Sequence, residues 1–433
     1  MASDESDPAS LGVVPSAADA AAAKRRLGRA TLDSAAAVVS GLADRCGGVP
    51  ARQALDALRR LQAVEPVFYE WYFRSLGMMR RGDWATLARH VDKLPAVAAV
   101  PLAVSGALDV RHGEPLAVTV PDDRRLLLSE RVACGSALSA LRPGQALVTT
   151  DGATLRIEQA DAAPMELPLR DLVRCSTVAV PGAPITFWQA SPALDRIVTD
   201  YQRDLSRIHL DPRPFKVLQP SEVGRRQVER FAGGLDLIRR CRPELHAEIC
   251  TLTDHFTLIR GEPFIGGSAI SCLGVSFFKL NPEWSDLCYA DHIVHEAAHQ
   301  RLHVEFEVEP ALTNGAFLGS VSPIRRDPRP LHGVLHATFV FLRLSLFLRS
   351  VLEVEPSQEA ERRFHRHVMG LYAGLEQLDR YGEWTGRGAR LFAAMCESAD
   401  RLRQIVAVPD PDFYNSLGPD YEPVGSLAAA YHD

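Results

Sequence analysis

Two histidines one helical turn apart constrain this chain more than any other feature. His295 and His299 bracket the pattern HEAAH, and a helix places side chains four residues apart on one face. Two imidazoles on one rigid face suit a divalent transition-metal ion. The pattern therefore predicts a metal-binding helix, which we expect to run from about Ser285 to Phe306.

The surroundings of this pattern favour a metal over packed histidines. HExxH also occurs by chance, but histidines cluster around it here. Six of the fourteen histidines fall in one short region, namely His292, His295, His299, His303, His332 and His336. Glu296 lies about 100° around the helix from His295, where it would flank the metal and act in catalysis. Histidines that serve packing alone remain the alternative.

A metal centre needs a third protein ligand, and the zinc-peptidase continuations of HExxH do not supply one. The extended pattern HExxHxxGxxH requires a glycine at 302 and a histidine at 305, where this chain has Leu302 and Glu305. No glutamate follows within 311–352. His336, on a predicted apolar helix, is our preferred third ligand. His332, one turn earlier, is the alternative ligand.

Arginines near these later histidines predict an anion-binding site. Arg343 lies on the same apolar helix, and the connector 322–330 adds Arg325 and Arg329. Guanidinium groups bind carboxylates through two parallel hydrogen bonds. An anionic cosubstrate beside three histidines favours an oxygenase over a peptidase. A solvated basic loop, paired with Asp327, is the alternative.

The same motifs resemble a known bacterial family. They are the HExxH pattern, the Ser-Pro-x-Arg-x-Asp-Pro-Arg-Pro connector at 322–330 and the Leu-His-Gly-Val-Leu-His run at 331–336. Together they are similar to the HExxH-motif proteins of peptide-modification gene clusters, which include α-ketoglutarate-dependent peptide β-hydroxylases. The resemblance covers roughly 200–400.

This resemblance implies a non-haem Fe(II) dioxygenase. It implies hydroxylation of the β-carbon of a residue in a ribosomally made precursor peptide, with consumption of O2 and α-ketoglutarate. His295, His299 and His336 would hold iron, and Arg325 or Arg329 would bind the α-ketoglutarate carboxylate. Imidazole also binds zinc, so the histidines by themselves do not distinguish iron from zinc.

Two other functions remain open at this point. The first is a zinc metallopeptidase or amidase, in which Glu296 would be the general base that activates a bound water. The second is a non-catalytic peptide-binding protein of a biosynthetic cluster, in which the HExxH pattern is incidental.

The pattern of apolar residues predicts an α+β fold that is mainly helical. We expect a disordered start at 1–14, a helical region at 15–100, a small β-rich region at 101–190 and an HExxH catalytic domain at 191–433. The catalytic domain would have a metallopeptidase-like strand–helix core. Within the β-rich region, Asp151-Gly152 between two apolar runs predicts a hairpin.

Composition excludes several classes of partner. The net charge of −6 and the pI near 6.2 give no electrostatic reason to bind nucleic acid or an anionic membrane. The most apolar run, at 334–348, is interrupted by Arg343, so we expect no membrane span. The eight cysteines form no CxxC pattern, and the start lacks the basic region of a secretory signal. These features predict a cytoplasmic protein with free thiols.

Overall fold

The structure is a computed structural model, and it describes a defined part of the chain. The described residues are 11–46, 49–61, 64, 66–104, 108, 115–120, 141–160, 162–169, 177–189, 194–195, 197–202, 219–221, 223–260, 266–279, 284–318, 320–321 and 328–403. Most of the predicted disordered start lies outside them, but Leu11 and Val13 are packed, with 4% and 0% of their surface exposed.

Helices and strands form an α+β fold that is mainly helical, as the sequence predicted. The helices are α1 (Ala17–Cys46), α2 (Val49–Leu61), α3 (Pro66–Arg80), α4 (Trp84–Val91), α5 (Leu94–Val104), α6 (Arg225–Cys241), α7 (Pro243–Leu252), α8 (Asp286–Phe306), α9 (Leu331–Val354), α10 (Gln358–Tyr381) and α11 (Gly386–Arg403). The strands are β1 (Leu116–Val120), β2 (Gly144–Thr150), β3 (Thr154–Glu158), β4 (Met165–Pro168), β5 (Thr177–Ala179), β6 (Thr186–Trp188), β7 (Gln219–Ser221), β8 (His255–Arg260), β9 (Gly266–Ser268), β10 (Val275–Lys279), β11 (Ser320–Val321) and β12 (Pro328–Arg329).

The chain divides into two compact units, each made from segments far apart in sequence. The helix unit comprises Met1–Lys24, Glu229–Leu252 and Asn281–Asp433, and the sheet unit comprises Arg25–Val228 and Thr253–Leu280. These units do not coincide with the three consecutive regions expected after the start, because the chain returns to the sheet unit at 253. The predicted catalytic domain is therefore shared between the two units.

The sheet unit contains two sheets. One is an antiparallel meander in the order β1-β2-β3-β4, which packs with helices α2, α3 and α5 around a common apolar core. The other has the order β5-β6-β8-β10-β9, with β7 also paired to β8. In it, β8 lies parallel to both β6 and β10.

The predicted hairpin at Asp151-Gly152 is confirmed, since β2 and β3 pair as antiparallel neighbours across it. Asp151 Oδ1 accepts hydrogen bonds from the backbone N–H of Thr154 at 2.7 Å and of Ala153 at 2.9 Å. Gly152 adopts a φ of 89°, which a residue with a Cβ rarely adopts. The turn residues thus help to determine which residues of β2 and β3 pair with each other.

Helices α9 and α10 pack against each other in the helix unit, and a glycine lets them approach closely. A Cβ placed on Gly374 would lie 2.0 Å from Thr338 Oγ1, so no larger residue fits there without movement. Thr338 lies two residues after His336 on α9. The packing of α10 therefore supports the part of α9 that carries this histidine.

Helix α9 is the one described helix that is long and apolar enough to cross a membrane, judged by length and composition. Its most apolar window has a mean hydropathy of 1.6, and 72% of that window is buried inside the protein. The buried core helices of soluble proteins have the same length and apolar composition, so this helix is only weak evidence for a membrane span.

Candidate metal centre

Helix α8 carries the HExxH pattern, and its start is fixed by a local cap. Ser285 Oγ accepts a hydrogen bond from the backbone N–H of Cys288 at 3.0 Å, which satisfies one of the free donors of the first turn. The same hydroxyl lies 2.9 Å from both carboxylate oxygens of Glu359 on α10. The helix ends at Phe306, so the predicted bounds are confirmed.

The two histidines of the pattern meet as predicted. His295 Nε2 lies 3.3 Å from His299 Nε2, and both rings are half-buried. Metal–imidazole bonds of about 2.1 Å place two nitrogens roughly 3.4 Å apart on a tetrahedral ion. The spacing of these two donor atoms therefore fits a shared metal ion.

His336 also reaches this cluster, but at the other edge of the His299 ring. His336 Nδ1 lies 3.2 Å from His299 Nδ1, and the two rings stack with centroids 5.5 Å apart. The two nitrogens of one imidazole point in different directions, so these three rings do not face a single point as they stand. Within the described residues, no group of three or more His, Cys, Asp or Glu side chains is arranged to hold a metal ion.

The environment keeps the imidazoles of His299 and His336 neutral. Burial lowers the pKa of His299 well below its usual value, and the neighbouring His295, His336, His303 and Arg329 lower it further. Burial, with His303 and His332, does the same for the pKa of His336. A neutral imidazole keeps the lone pair that a metal ligand needs. Both rings therefore have the protonation state of ligands at pH 7.

His303 and His332 extend the cluster beyond the predicted ligands. The His303 ring lies 4.7 Å from that of His336, and burial together with His332 lowers the pKa of His303 to about 4. The exposed His332 has Nδ1 at 3.0 Å from the carbonyl oxygen of Gly315. That contact makes Nδ1–H the donor and leaves Nε2 with its lone pair.

The three predicted anion-binding arginines have different surroundings. Arg329, at the end of β12, is half-buried, and its charge contributes to the lowered pKa of His299. Arg325 lies outside the described residues. Arg343 is buried, donates from Nη1 to the carbonyl oxygen of Gly12 at 2.7 Å and pairs with Glu248. Protein groups thus occupy the Arg343 guanidinium. We base the anion site on Arg329 because its charge acts on the histidine cluster.

The side chain of Glu296 is buried, with 3% of its surface exposed.

Two buried ionic networks, which the sequence did not predict, connect α8 to neighbouring helices. One lies before Glu296 in the chain and the other lies after it. In the first, Asp291 accepts hydrogen bonds from His367 at 2.8 Å and Arg363 at 3.0 Å.

The second network begins with Arg301, two residues after His299. Arg301 Nη1 is 2.6 Å from Glu305 Oε1, and Arg301 Nε is 3.6 Å from Glu248 Oε2. Arg387 on α11 donates to the carbonyl oxygen of Glu305 at 2.7 Å. Charged residues at 291, 301 and 305 on a helix that is otherwise buried are the sequence signal for both networks, because such charges are retained when they are paired.

Comparison with known proteins adds no family assignment. No protein-family model and no curated protein matches this chain.

Proposed function

We propose that this protein is an Fe(II)- and α-ketoglutarate-dependent oxygenase that hydroxylates the β-carbon of a residue in a ribosomally made precursor peptide. One observation carries the proposal. His295 Nε2 and His299 Nε2 lie 3.3 Å apart, with the guanidinium of Arg329 close enough to shift the pKa of His299. Two imidazole nitrogens at this spacing, with an arginine nearby, would suit a metal that works with an anionic cosubstrate.

Metal binding and anion binding would be the roles of different residues. His295 and His299 would hold the metal, and Arg329 would bind a carboxylate of α-ketoglutarate. Bound Fe(II) would supply the oxidation, in which the C–H bond, O2 and α-ketoglutarate give an alcohol, succinate and CO2. The remaining contribution of the protein is positioning and the exclusion of water.

We assign His336 as the third metal ligand. His336 would have to present a nitrogen on the side of the His299 ring that faces His295. It contacts the opposite edge of that ring at 3.2 Å instead. The alternative is His332, whose contact with Gly315 O orients the ring as in many metal-ligating histidines. Both histidines are in the proposal, with His336 preferred.

Glu296 would act by orienting its neighbours. Its burial supports this role, because a carboxylate enclosed by protein is better placed to fix other groups than to meet a substrate from solvent. We also propose a cytoplasmic location, and the thiols of Cys241 and Cys288, which form no disulfide, are compatible with it.

Metal content and cosubstrate turnover test the proposal directly. The protein is prepared without O2, loaded with Fe(II) or Zn(II), and supplied with α-ketoglutarate before air is admitted. We expect succinate only when Fe(II), α-ketoglutarate and O2 are all present. The variant His295→Ala should form none, whereas His246→Ala, a histidine on α7, should behave as the unmodified protein.

Two outcomes would contradict the oxygenase. Peptide hydrolysis that continues with zinc and without O2 and α-ketoglutarate would support the metallopeptidase, with Glu296 as its general base. Failure to bind either metal above the level of His295→Ala would support the non-catalytic peptide-binding protein.

A further inference from the structure

An apolar surface with carboxylates around it lies next to the candidate metal centre. It is formed by residues 307–318 and 381–385, which we call the rim. Val308, Phe317 and Leu318 are 60%, 42% and 58% exposed. Phe317 and Leu318 are adjacent in the chain, and the Phe317 ring contacts that of Tyr381 with centroids 5.6 Å apart, so the two parts of the rim share one apolar surface. Exposed apolar surfaces of this kind mark interaction sites.

The rim is held rigidly despite its irregular backbone. Thr313 N–H donates to Glu383 O at 2.8 Å, and Thr385 N–H donates to Ala311 O at 3.0 Å. Asn314 Nδ2 donates to Tyr381 O at 2.8 Å. The apolar side chains are therefore presented on a fixed surface, and binding there would not have to order the loop first.

The rim is continuous with the histidine cluster. The backbone N–H of Leu331 donates to Phe317 O at 2.9 Å, and that of His332 donates to Gly315 O at 2.9 Å. These bonds attach the rim to the first turn of α9, and His336 follows one turn later. A ligand on the rim would thus lie beside the candidate metal centre.

The charge of the rim indicates what it binds. Glu307, Glu309 and Glu383 are exposed, and Glu383 is tied to the rim through Thr313 Oγ1, 3.4 Å from its Oε2. The rim contains these three glutamates and no lysine or arginine. Of the arginines that flank it, Arg380 lies over the Tyr381 ring at 5.2 Å and Arg387 pairs with Glu305. The rim residues therefore carry a net negative charge, which suits a partner with positive charge.

We infer that the rim binds an extended segment of the substrate peptide that carries apolar and basic side chains. The apolar side chains contact Phe317 and Leu318, and the basic ones pair with the carboxylates. The identity of this peptide as a substrate rests on the proposed function, but its binding is measured without catalysis.

Fluorescence anisotropy with three labelled dodecapeptides tests the inference on the full chain. One peptide combines lysine, leucine and glycine, the second has glutamate in place of lysine, and the third has serine in place of leucine. We expect the first to bind at least about tenfold more tightly than the others, because it alone matches both the charge and the apolar surface.

Matched variants locate the binding. Leu318→Ser should weaken binding of the lysine–leucine peptide about tenfold, and the double variant Glu309→Gln/Glu383→Gln should make it less sensitive to salt. Val354→Ser removes an apolar side chain of similar exposure, 53% against 58%, at the far end of α9, and should leave the affinity unchanged. Circular dichroism of each variant confirms that the fold is retained.

Three outcomes would overturn the inference. They are equal binding of the lysine and glutamate peptides, equal affinity of Leu318→Ser and Val354→Ser, or self-association of the chain that Leu318→Ser abolishes, which would make a second copy the occupant. Succinate formation with no peptide binding at the rim would refute the rim alone. Peptide binding at the rim with no succinate formation would refute the oxygenase alone.

Discussion

His367 Nε2 donates a hydrogen bond of 2.8 Å to Asp291 Oδ1, one helical turn before the HExxH pattern. Arg363 contacts the other oxygen of this carboxylate at 3.0 Å. Burial opposes the charge on Asp291, but His367 and Arg363 outweigh it and hold the pKa of the carboxyl far below its usual value. Helix α8 is therefore anchored to α10 by a carboxylate that stays ionised.

This anchor predicts a pH-dependent contribution to stability. A carboxyl whose pKa is depressed by folding stabilises the protein above the unfolded pKa of about 3.9, and this contribution is lost as the pH falls further. Asp291→Asn should lower the free energy of unfolding at pH 7 by about 3 kcal/mol. Thermal unfolding between pH 3 and 7 measures this, and the gap between variant and unmodified protein should narrow below pH 4. Asp236→Asn, at an exposed carboxylate, should cost less than about 1 kcal/mol.

The metal ligands are tested one by one through metal content. His295→Ala and His299→Ala should each abolish Fe(II) and Zn(II) binding, because each removes one of the two nitrogens that lie 3.3 Å apart. We expect His336→Ala to lose the metal and His332→Ala to retain most of it. The reverse result would move the third ligand one turn along α9.

The anion site is tested through the affinity for α-ketoglutarate. Arg329→Ala should weaken α-ketoglutarate binding to the metal-loaded protein by about tenfold or more, since a charged hydrogen bond is worth roughly 1.5–3 kcal/mol. Calorimetry on anaerobic protein gives the affinity. Arg349→Ala, which removes an exposed partner of Glu353, is the control. Unchanged affinity for Arg329→Ala would exclude this residue from the site.

Arg343 should behave as a structural residue. Arg343→Met leaves Glu248 without one of its buried partners, so the free energy of unfolding should fall by about 3–5 kcal/mol. In the fraction that folds, the affinity for α-ketoglutarate should be unchanged. A loss of α-ketoglutarate affinity without loss of stability would return Arg343 to the anion site. Denaturant unfolding and calorimetry on the same preparation separate the two results.

Two glycines on neighbouring helices differ in how much space surrounds them, so their alanine variants test the packing between α9 and α10. Gly374→Ala should destabilise the protein by about 1–3 kcal/mol, because its Cβ would overlap Thr338. Gly333→Ala on α9 meets no atom within 4 Å and should stabilise the helix by about 0.5–1 kcal/mol. Unfolding in urea measures both. Equal effects would mean that α9 and α10 are not closely packed at Thr338.

Local features of the fold were accessible from the sequence because their causes lie within a few residues. Ser285 caps α8 through a neighbour three positions away, and Asp151-Gly152 closes its hairpin through its own side chain and backbone. The meeting of His295 and His299 follows from helical periodicity alone. These features need no knowledge of distant packing.

The tertiary structure alone decided how the distant groups are used. Arg343 looked like an anion-binding residue because its partner Glu248 lies 95 positions away, on another helix. The approach of His336 to His299 was predicted, but which edge of the ring it meets depends on how α9 packs against α8. Sequence periodicity fixes the face on which a side chain lies, whereas its partner and its orientation depend on packing between elements that are far apart in the chain.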